Sequence, residues 1–325
     1  MERTLVVGAT GQLGTDVTRL LIGQGYPVRA LIRKPVAAAA FQKIGAETSL
    51  GDLTDPPSLE RACEGITSII ATATAVVPSS PQDTFDRVDR DGYCNLIHAS
   101  LKAGVRKFIF TSVMPTSYEP LSFRLKRHTE RLIQSSGIPH VILRAAPFMD
   151  ISFAMMGSTI PLRGAQNPTL ARPFAFARKH YAKIASSIDK NHVAQIPGDG
   201  DMPHAFISIH DVARFLVASL RRDIEGIHDI AGPEEISHAA VVKIYEELLG
   251  VKLTMQHTPA WLFRLAGTCL MPFQPAAANL MQLNYLAATE PSRSHPEATA
   301  RFEVPLTTAF DFLRKHLHAA PPVSA

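Results

Sequence analysis

Three glycines stand at intervals of three near the start of the chain, in Gly8-Ala9-Thr10-Gly11-Gln12-Leu13-Gly14. The apolar run Leu5-Val6-Val7 precedes them, and Leu13, Val17, Leu20 and Leu21 follow at helical spacing until Gly23 and Gly25. A strand, a glycine turn and a helix that together open a βαβ unit form a site for the pyrophosphate of a dinucleotide. Gly8 permits the tight turn out of the strand. Gly11 omits the Cβ that would block the pyrophosphate, and Gly14 lets the helix pack close to the sheet. The phosphates then meet free N–H groups at the helix N-terminus. Gly8, Thr10, Gly11, Gln12, Leu13 and Gly14 are the expected phosphate-binding residues.

A second strand, Val28 to Ile32, runs into Arg33-Lys34-Pro35. A site selective for NAD offers a carboxylate here to the ribose 2′-hydroxyl, whereas an arginine accommodates a 2′-phosphate. No acidic residue follows Arg33 and Lys34 in the chain before Glu47. The expected cofactor is NADP(H), with NAD(H) second; the competing account is two solvated charges at a strand end. Asp52, in Gly51-Asp52-Leu53, offers a carboxylate to the adenine amino group or, equally, caps the next helix. Ala71 and Ala73 close the fourth strand in small residues, where a cofactor lies across the sheet edge.

The elements that position these groups alternate through the first 145 residues. Apolar strands at Leu5–Val7, Val28–Ile32, Thr48–Leu50, Ser68–Ala71, Lys107–Phe110 and Val141–Leu143 are each separated by a helical pattern. The longest of these helices is expected from Thr84 to Ala103, and another opens at Pro120. Such an alternation predicts an α/β, doubly wound (Rossmann) parallel sheet covered on both faces. Residues 1–145 are expected to form this dinucleotide-binding domain. Residues 146–325 are expected to form a smaller, mostly helical substrate domain, with 203–232 returning to the sheet. That return is a strand–helix pair at Phe206–Leu220 and a strand at Ile227–Ala231, followed by a helix at Ala239–Leu249. A further helix is expected at Phe176–Ile188.

The composition narrows the partners. Of 325 residues, 46% are hydrophobic and 19% charged, as in a globular protein with a sizeable core. The formal charge of +4 is too small to make nucleic acid the default partner. Three dispersed cysteines, Cys63, Cys94 and Cys269, argue against a disulfide framework or a structural zinc, so no metal is expected. No signal-peptide pattern and no run of about 18 apolar residues is present, which makes the cytoplasm the expected compartment. The expected partner is a small-molecule substrate, and the expected state a monomer or homodimer.

At this point the chain resembles a known family, the atypical short-chain dehydrogenases and, within them, the NmrA-like, isoflavone reductase-like NAD(P)H-binding proteins. The glycine loop carries the likeness, together with Asp89-Arg90-Asp91-Gly92-Tyr93-Cys94-Asn95-Leu96, Ala103-Gly104-Val105-Arg106-Lys107-Phe108 and Thr111-Ser112. So do Lys126, Glu130, Ser136-Gly137, Leu143-Arg144 to Phe148-Met149, and Ile207 to Val212. Orthodox members pair a tyrosine with a lysine four residues later, on one helix face. Lys126 falls at the lysine position, but Ser122 stands where the tyrosine would be. The resemblance implies that Lys126 contacts the cofactor and assists proton transfer, directly or through a water. Its competing account is one solvated charge in Arg124-Leu125-Lys126-Arg127-His128. Tyr118, in the preceding loop, is a second candidate proton donor. Ser112 is a ribose or substrate contact or a strand-end hydroxyl, and Thr111 lies beside it. Pro147 and Phe148 would wall the nicotinamide face.

On the substrate side, Met155–Met202 holds Arg172, Arg178, Lys179, His180 and Lys183 among Phe174, Phe176 and Tyr181. These form either a loop for an aromatic or acidic substrate or a solvated helix face. The apolar stretch Trp261–Leu286 is expected to be a helical hairpin that caps the small domain, walls a pocket, makes a dimer face or attaches at a membrane interface. The leading expectation is an NADPH-dependent oxidoreductase reducing a small hydrophobic, aromatic or quinone-like compound. Its rival is a non-enzymatic NADP(H)-binding redox sensor, regulator or assembly factor, because the resemblance includes such proteins and the tyrosine is missing.

Overall fold

A computed structural model of the protein describes residues 2–171 and 181–321. Seven strands form one parallel sheet in the order β3-β2-β1-β4-β5-β6-β9. They are β1 (Thr4–Val7), β2 (Val28–Ile32), β3 (Glu47–Leu50), β4 (Ser68–Ala71), β5 (Lys107–Val113), β6 (His140–Ala145) and β9 (Gly226–Ile230). Val6 pairs with Ala30 on one side and Ile70 on the other, and Ile70 in turn with Ile109. Because side chains alternate along a strand, β1 feeds two cores. Val6 joins Val17, Leu21, Ile109 and Phe215 on one face; Leu5 and Val7 join Leu59, Ile69, Tyr93 and Phe108 on the other. Helices on both faces bury these sets, so the central strands read as unbroken apolar runs.

The first helices are α1 (Gln12–Gly23), α2 (Ala38–Lys43), α3 (Pro56–Cys63), α4 (Gly92–Lys102), α5 (Leu121–Ser135) and α6 (Met149–Met155). The long helix expected from Thr84 is different in its first part. Asp86–Asp91 is a π-helical segment that leads into α4. The wider turn carries Asp89 into the interior, where its carboxylate accepts the Ala75 N–H at 2.8 Å. Phe206–Leu220 also departs from expectation: Ile207 makes a single bridge to Phe148, and only Ile209–Ala218 is regular, as a helix. That helix packs on α1, through Val212, Phe215 and Leu216 in the cluster that holds Val17 and Leu21.

Beyond β6 the chain adds two small sheets that the sequence pattern did not predict. β7 (Val193–Pro197) pairs with β11 (Thr254–Thr258), and β8 (Pro203–His204) with β10 (Ile236–Ser237). The apolar stretch forms a hairpin of two helices, Ala260–Leu270 and Pro275–Thr289. Gly267 sets their close approach: a Cβ there would stand 2.9 Å from the Gln282 side chain. Among the described residues no helix is long and apolar enough to cross a membrane. Of the helix expected at Phe176–Ile188, residues up to His180 lie outside the described chain; the helix Ser187–Asn191 follows.

Candidate functional site

The strand order reverses between β1 and β4, and a doubly wound fold opens its ligand crevice at such a switch point. Gly8 sits there with φ +87°, and a Cβ on it would lie 2.8 Å from the Ala73 amide nitrogen. A Cβ on Gly14 would lie 2.1 Å from the Gly8 carbonyl oxygen, so only glycine lets α1 begin beneath the turn. Gly11 is the N-cap of α1 and makes no side-chain bond to it. The first-turn amides of Gln12, Leu13 and Gly14 follow, with no earlier carbonyl inside the helix to receive them. This cradle fits a diphosphate.

The Gln12 side chain is engaged elsewhere. Its amide donates to Asp150 Oδ1 at 2.8 Å and its carbonyl accepts the Thr169 N–H at 3.2 Å. Asp150 Oδ2 accepts the Ile209 N–H at 2.9 Å, so one carboxylate ties the glycine turn to two further helices. Burial pushes Asp150 up to about 7 despite that amide bond. A carboxyl whose folded pKa lies above its unfolded value holds its proton more tightly in the folded state. The stability it supplies is therefore lost as pH rises from about 4 to about 7. Asp150→Asn should remove that decline. Urea midpoints of both proteins across this range test the prediction, and parallel curves would reject it.

Arg33 and Lys34 are exposed at the end of β2, as their sequence position implies. Arg33 nevertheless has an acidic neighbour that its flanking sequence does not disclose. The loop after β4 places Asp83 Oδ1 2.7 Å from its Nη1, and Asp52 Oδ2 lies at 3.8 Å. Burial favours the neutral Asp83 acid, but Arg33 and the Ser79 and Ser80 donors outweigh it and hold the carboxyl below its usual range. Asp52 spends its other oxygen on the Thr54 amide and hydroxyl, both at 2.8 Å, as a turn aspartate does. Leu53 and Ala71 are core residues. The Ala73 carbonyl accepts the Tyr93 hydroxyl at 2.7 Å.

At the carboxyl ends of β5 and β6 lies a cavity of about 630 Å³. Its apolar wall includes Val76, Met114, Phe148, Met155, Phe263 and Leu280. Ser112, Lys126 and Pro147 also line it. Lys126, on α5, is buried; its ammonium donates to the Thr111 carbonyl at 3.0 Å and lies 4.5 Å from the centre of the Phe110 ring. Burial lowers its pKa, against the opposing charges of Asp89 and Glu130. Asp89 shifts the other way, raised by burial against the Lys126 charge and the Ala75 amide. Lys126 is thus a cavity-wall cation, not one charge of a solvated run.

The other candidates divide. The Ser112 hydroxyl donates to Glu130, a strand-end role. Thr111 Oγ1 is buried with no hydrogen-bond partner among the described residues. Tyr118 does not itself line the cavity but borders it: its amide donates to the lining residue Glu290, and its ring meets Tyr285 edge-on at 5.6 Å. Ser122 is buried beneath the hairpin, its amide donating to Asn279 Oδ1 at 3.0 Å. Of the basic aromatic loop, Arg172, Phe174, Phe176, Arg178, Lys179 and His180 lie outside the described residues. Tyr181 packs with Ala154, Leu162 and Leu170.

Several site residues went unnoticed in the sequence. His204 and His238 are buried with rings 5.5 Å apart, both touch the cavity, and desolvation lowers His238 to about 3. Glu130 gathers Arg127, Arg144 and Ser112. In the sequence Glu130 and Arg144 stand only among the residues of the family likeness, with nothing to show that they pair.

Comparison with known proteins agrees with this architecture. The chain is 19% identical to an Escherichia coli NADPH-dependent quinone oxidoreductase solved with NADPH, covering 97% of this chain and 99% of that one at a TM-score of 0.71. It is 18% identical to a Citrobacter triphenylmethane reductase solved with NADP(H), covering 96% and 99% at a TM-score of 0.72. At such identities the likeness establishes the fold. By sequence it is 27% identical over 277 residues to the photosystem II assembly factor Ycf39 of Synechocystis, covering 84% of this chain and 75% of that protein. The NmrA-like family profile matches residues 1–289, and the chain belongs to the NmrA-like family.

Proposed function

We propose that this protein is an NADPH-dependent oxidoreductase whose substrate is a small hydrophobic, aromatic or quinone-like compound. The observation that carries the reading is an apolar cavity with one buried lysine in its wall, on the same sheet edge as the glycine cradle. In this reading Gly8, Thr10, Gly11 and the amides of Gln12, Leu13 and Gly14 hold the pyrophosphate. Arg33 and Lys34 take the 2′-phosphate, and Asp52, Leu53, Ala71 and Ala73 border the adenosine half. Thr111, Pro147 and Phe148 border the nicotinamide. NADPH supplies a hydride when bound. Lys126 positions the nicotinamide ribose and carries a proton toward the substrate, and the apolar wall excludes water.

The quinone and dye named for the two solved neighbours support the substrate class. A second reading, an NADP(H)-binding assembly factor or regulator, is favoured by the Ycf39 relative and by serine at position 122. Purified protein incubated with NADPH and a panel of quinones, enones and ketones separates the two. Oxidation of NADPH by any quinone supports the enzyme; tight binding with no oxidation supports the regulator. Mass spectrometry of the denatured protein identifies any cofactor retained through purification.

Arg33 and Asp83 offer a direct test of cofactor choice. The 2′-phosphate has to displace Asp83 from the guanidinium. Arg33→Ala should weaken NADPH, by about 1.5–3 kcal/mol for a charge-assisted contact, and NADH much less. Asp83→Asn should tighten NADPH while sparing NADH. Calorimetric titration of both cofactors measures this, and equal changes for the two would reject the 2′-phosphate role.

A further inference from the structure

Among the described residues, five of the nine exposed large hydrophobic side chains fall on or next to the helical hairpin. Trp261 is 63% exposed, Leu265 54% and Phe273 82%, with Leu262 and Met255 also open. Trp261, Leu262 and Leu265 share one side of the helix Ala260–Leu270, and Phe273 stands in the turn that follows. The other side of that helix is spoken for, by Gly267 against Gln282 and by Phe263 in the cavity wall. An exposed apolar group of this size marks an interaction surface.

The charges around it identify the partner. From Leu248 to Thr289 the chain has no aspartate or glutamate. Lys252 is paired with Glu246, but Arg264 has no carboxylate within 4 Å among the described residues and lies over the Tyr285 ring at 5.7 Å. A second copy placed on this face by a two-fold axis would bring two such arginines together with no acid between them. An anionic surface suits it instead. Tryptophan and phenylalanine settle at the boundary between lipid headgroups and acyl chains, and a guanidinium bonds phosphate.

We propose that this face docks on a bilayer containing anionic phospholipid. Trp261, Leu265 and Phe273 enter the interface, and Arg264 meets the phosphates. The hairpin does not span the bilayer; it lies on it. Phe263, Leu280 and Leu283 line the cavity from the same hairpin, so docking sets the cavity beside the acyl phase. Delivery of a lipid-dissolved substrate would rest on the reductase reading, but docking itself does not.

Trp261 is the only tryptophan, which makes the full-length chain its own probe. Titration with phosphatidylcholine vesicles containing phosphatidylglycerol should shift its emission to the blue and expose it to quenching by brominated acyl chains. Pure phosphatidylcholine should bind more weakly, and Arg264→Gln should reduce that preference about fivefold. Leu265→Glu combined with Phe273→Glu removes apolar groups that no core residue needs. It should weaken vesicle flotation at least about 100-fold while the circular dichroism spectrum is unchanged. No blue shift and no flotation with anionic vesicles would overturn the proposal. So would a blue shift that grows with protein concentration alone, accompanied by a dimer in sedimentation, because a second copy would then occupy the face.

Discussion

Lys126→Met should lower NADPH-driven reduction about 10²–10⁴-fold, the usual contribution of a positioned proton donor. Methionine keeps most of the side-chain volume among Phe110, Tyr93 and the cavity, so the change removes the ammonium more than the packing. Adenine-end binding should be nearly unchanged, since Gly8–Gly14 and Arg33 lie at the far strands of the site. The pH profile supplies a second readout. Burial lowers the Lys126 pKa, so the wild-type rate should fall with rising pH earlier than a solvated lysine would require. That limb should be absent from the variant. Full turnover by Lys126→Met on an established substrate would remove lysine from the chemistry. Ser122→Tyr is not a simple rescue. Asn279 Oδ1 accepts the Ser122 backbone amide, the Ser122 hydroxyl is buried with no hydrogen-bond partner among the described residues, and a phenol there would take up part of the cavity that Ser122 lines.

The second large effect is on stability. Glu130→Ala should destabilise the protein by about 3–5 kcal/mol, because removing one member of a buried ion cluster leaves its partners uncompensated. Glu130 is buried, and its carboxylate holds Arg127, the Ser112 hydroxyl and Arg144, the last at 2.6 Å. Burial pulls its pKa upward, but these partners outweigh that and keep it below the usual carboxylate range. A carboxyl depressed in this way supports the fold at neutral pH and loses that support as pH falls through its folded pKa. Urea denaturation of wild type and Glu130→Ala at neutral and acid pH should therefore show the gap narrowing in acid. A gap that is constant with pH, or below about 1 kcal/mol, would mean the cluster is solvated.

Much of the fold was legible because it rests on local periodicity. Leu5–Val7, Val28–Ile32 and Ser68–Ala71 are continuous apolar runs because both sheet faces are covered, and each appears as a strand close to its expected limits. The glycine loop was legible for a comparable reason. Gly8 needs a positive φ and Gly14 a missing Cβ, demands that no other residue type meets at that spacing. The π-helical turn at Asp86–Asp91 was not legible, since a helix of normal pitch fits the same apolar pattern.

By itself, then, the amino-acid sequence determined the doubly wound sheet, the glycine turn between β1 and α1 and the placement of Arg33 at the end of β2. Each strand and helix, the glycine turn and the end of β2 rest on short stretches of chain whose conformations follow from sterics and burial, although the sheet itself pairs strands as far apart as Val141 and Gly226. The tertiary structure alone decided what each polar side chain meets. It gave Arg33 to Asp83, across 50 residues, and Gln12 to Asp150, across 138. It placed Ser122 under Asn279, Tyr118 against Tyr285, and Lys126 in a wall between Asp89 and the cavity. Hydrogen bonds and ion pairs act over a few ångströms with no preference in chain separation, so their partners are fixed only when the packed sheet and hairpin bring distant segments together.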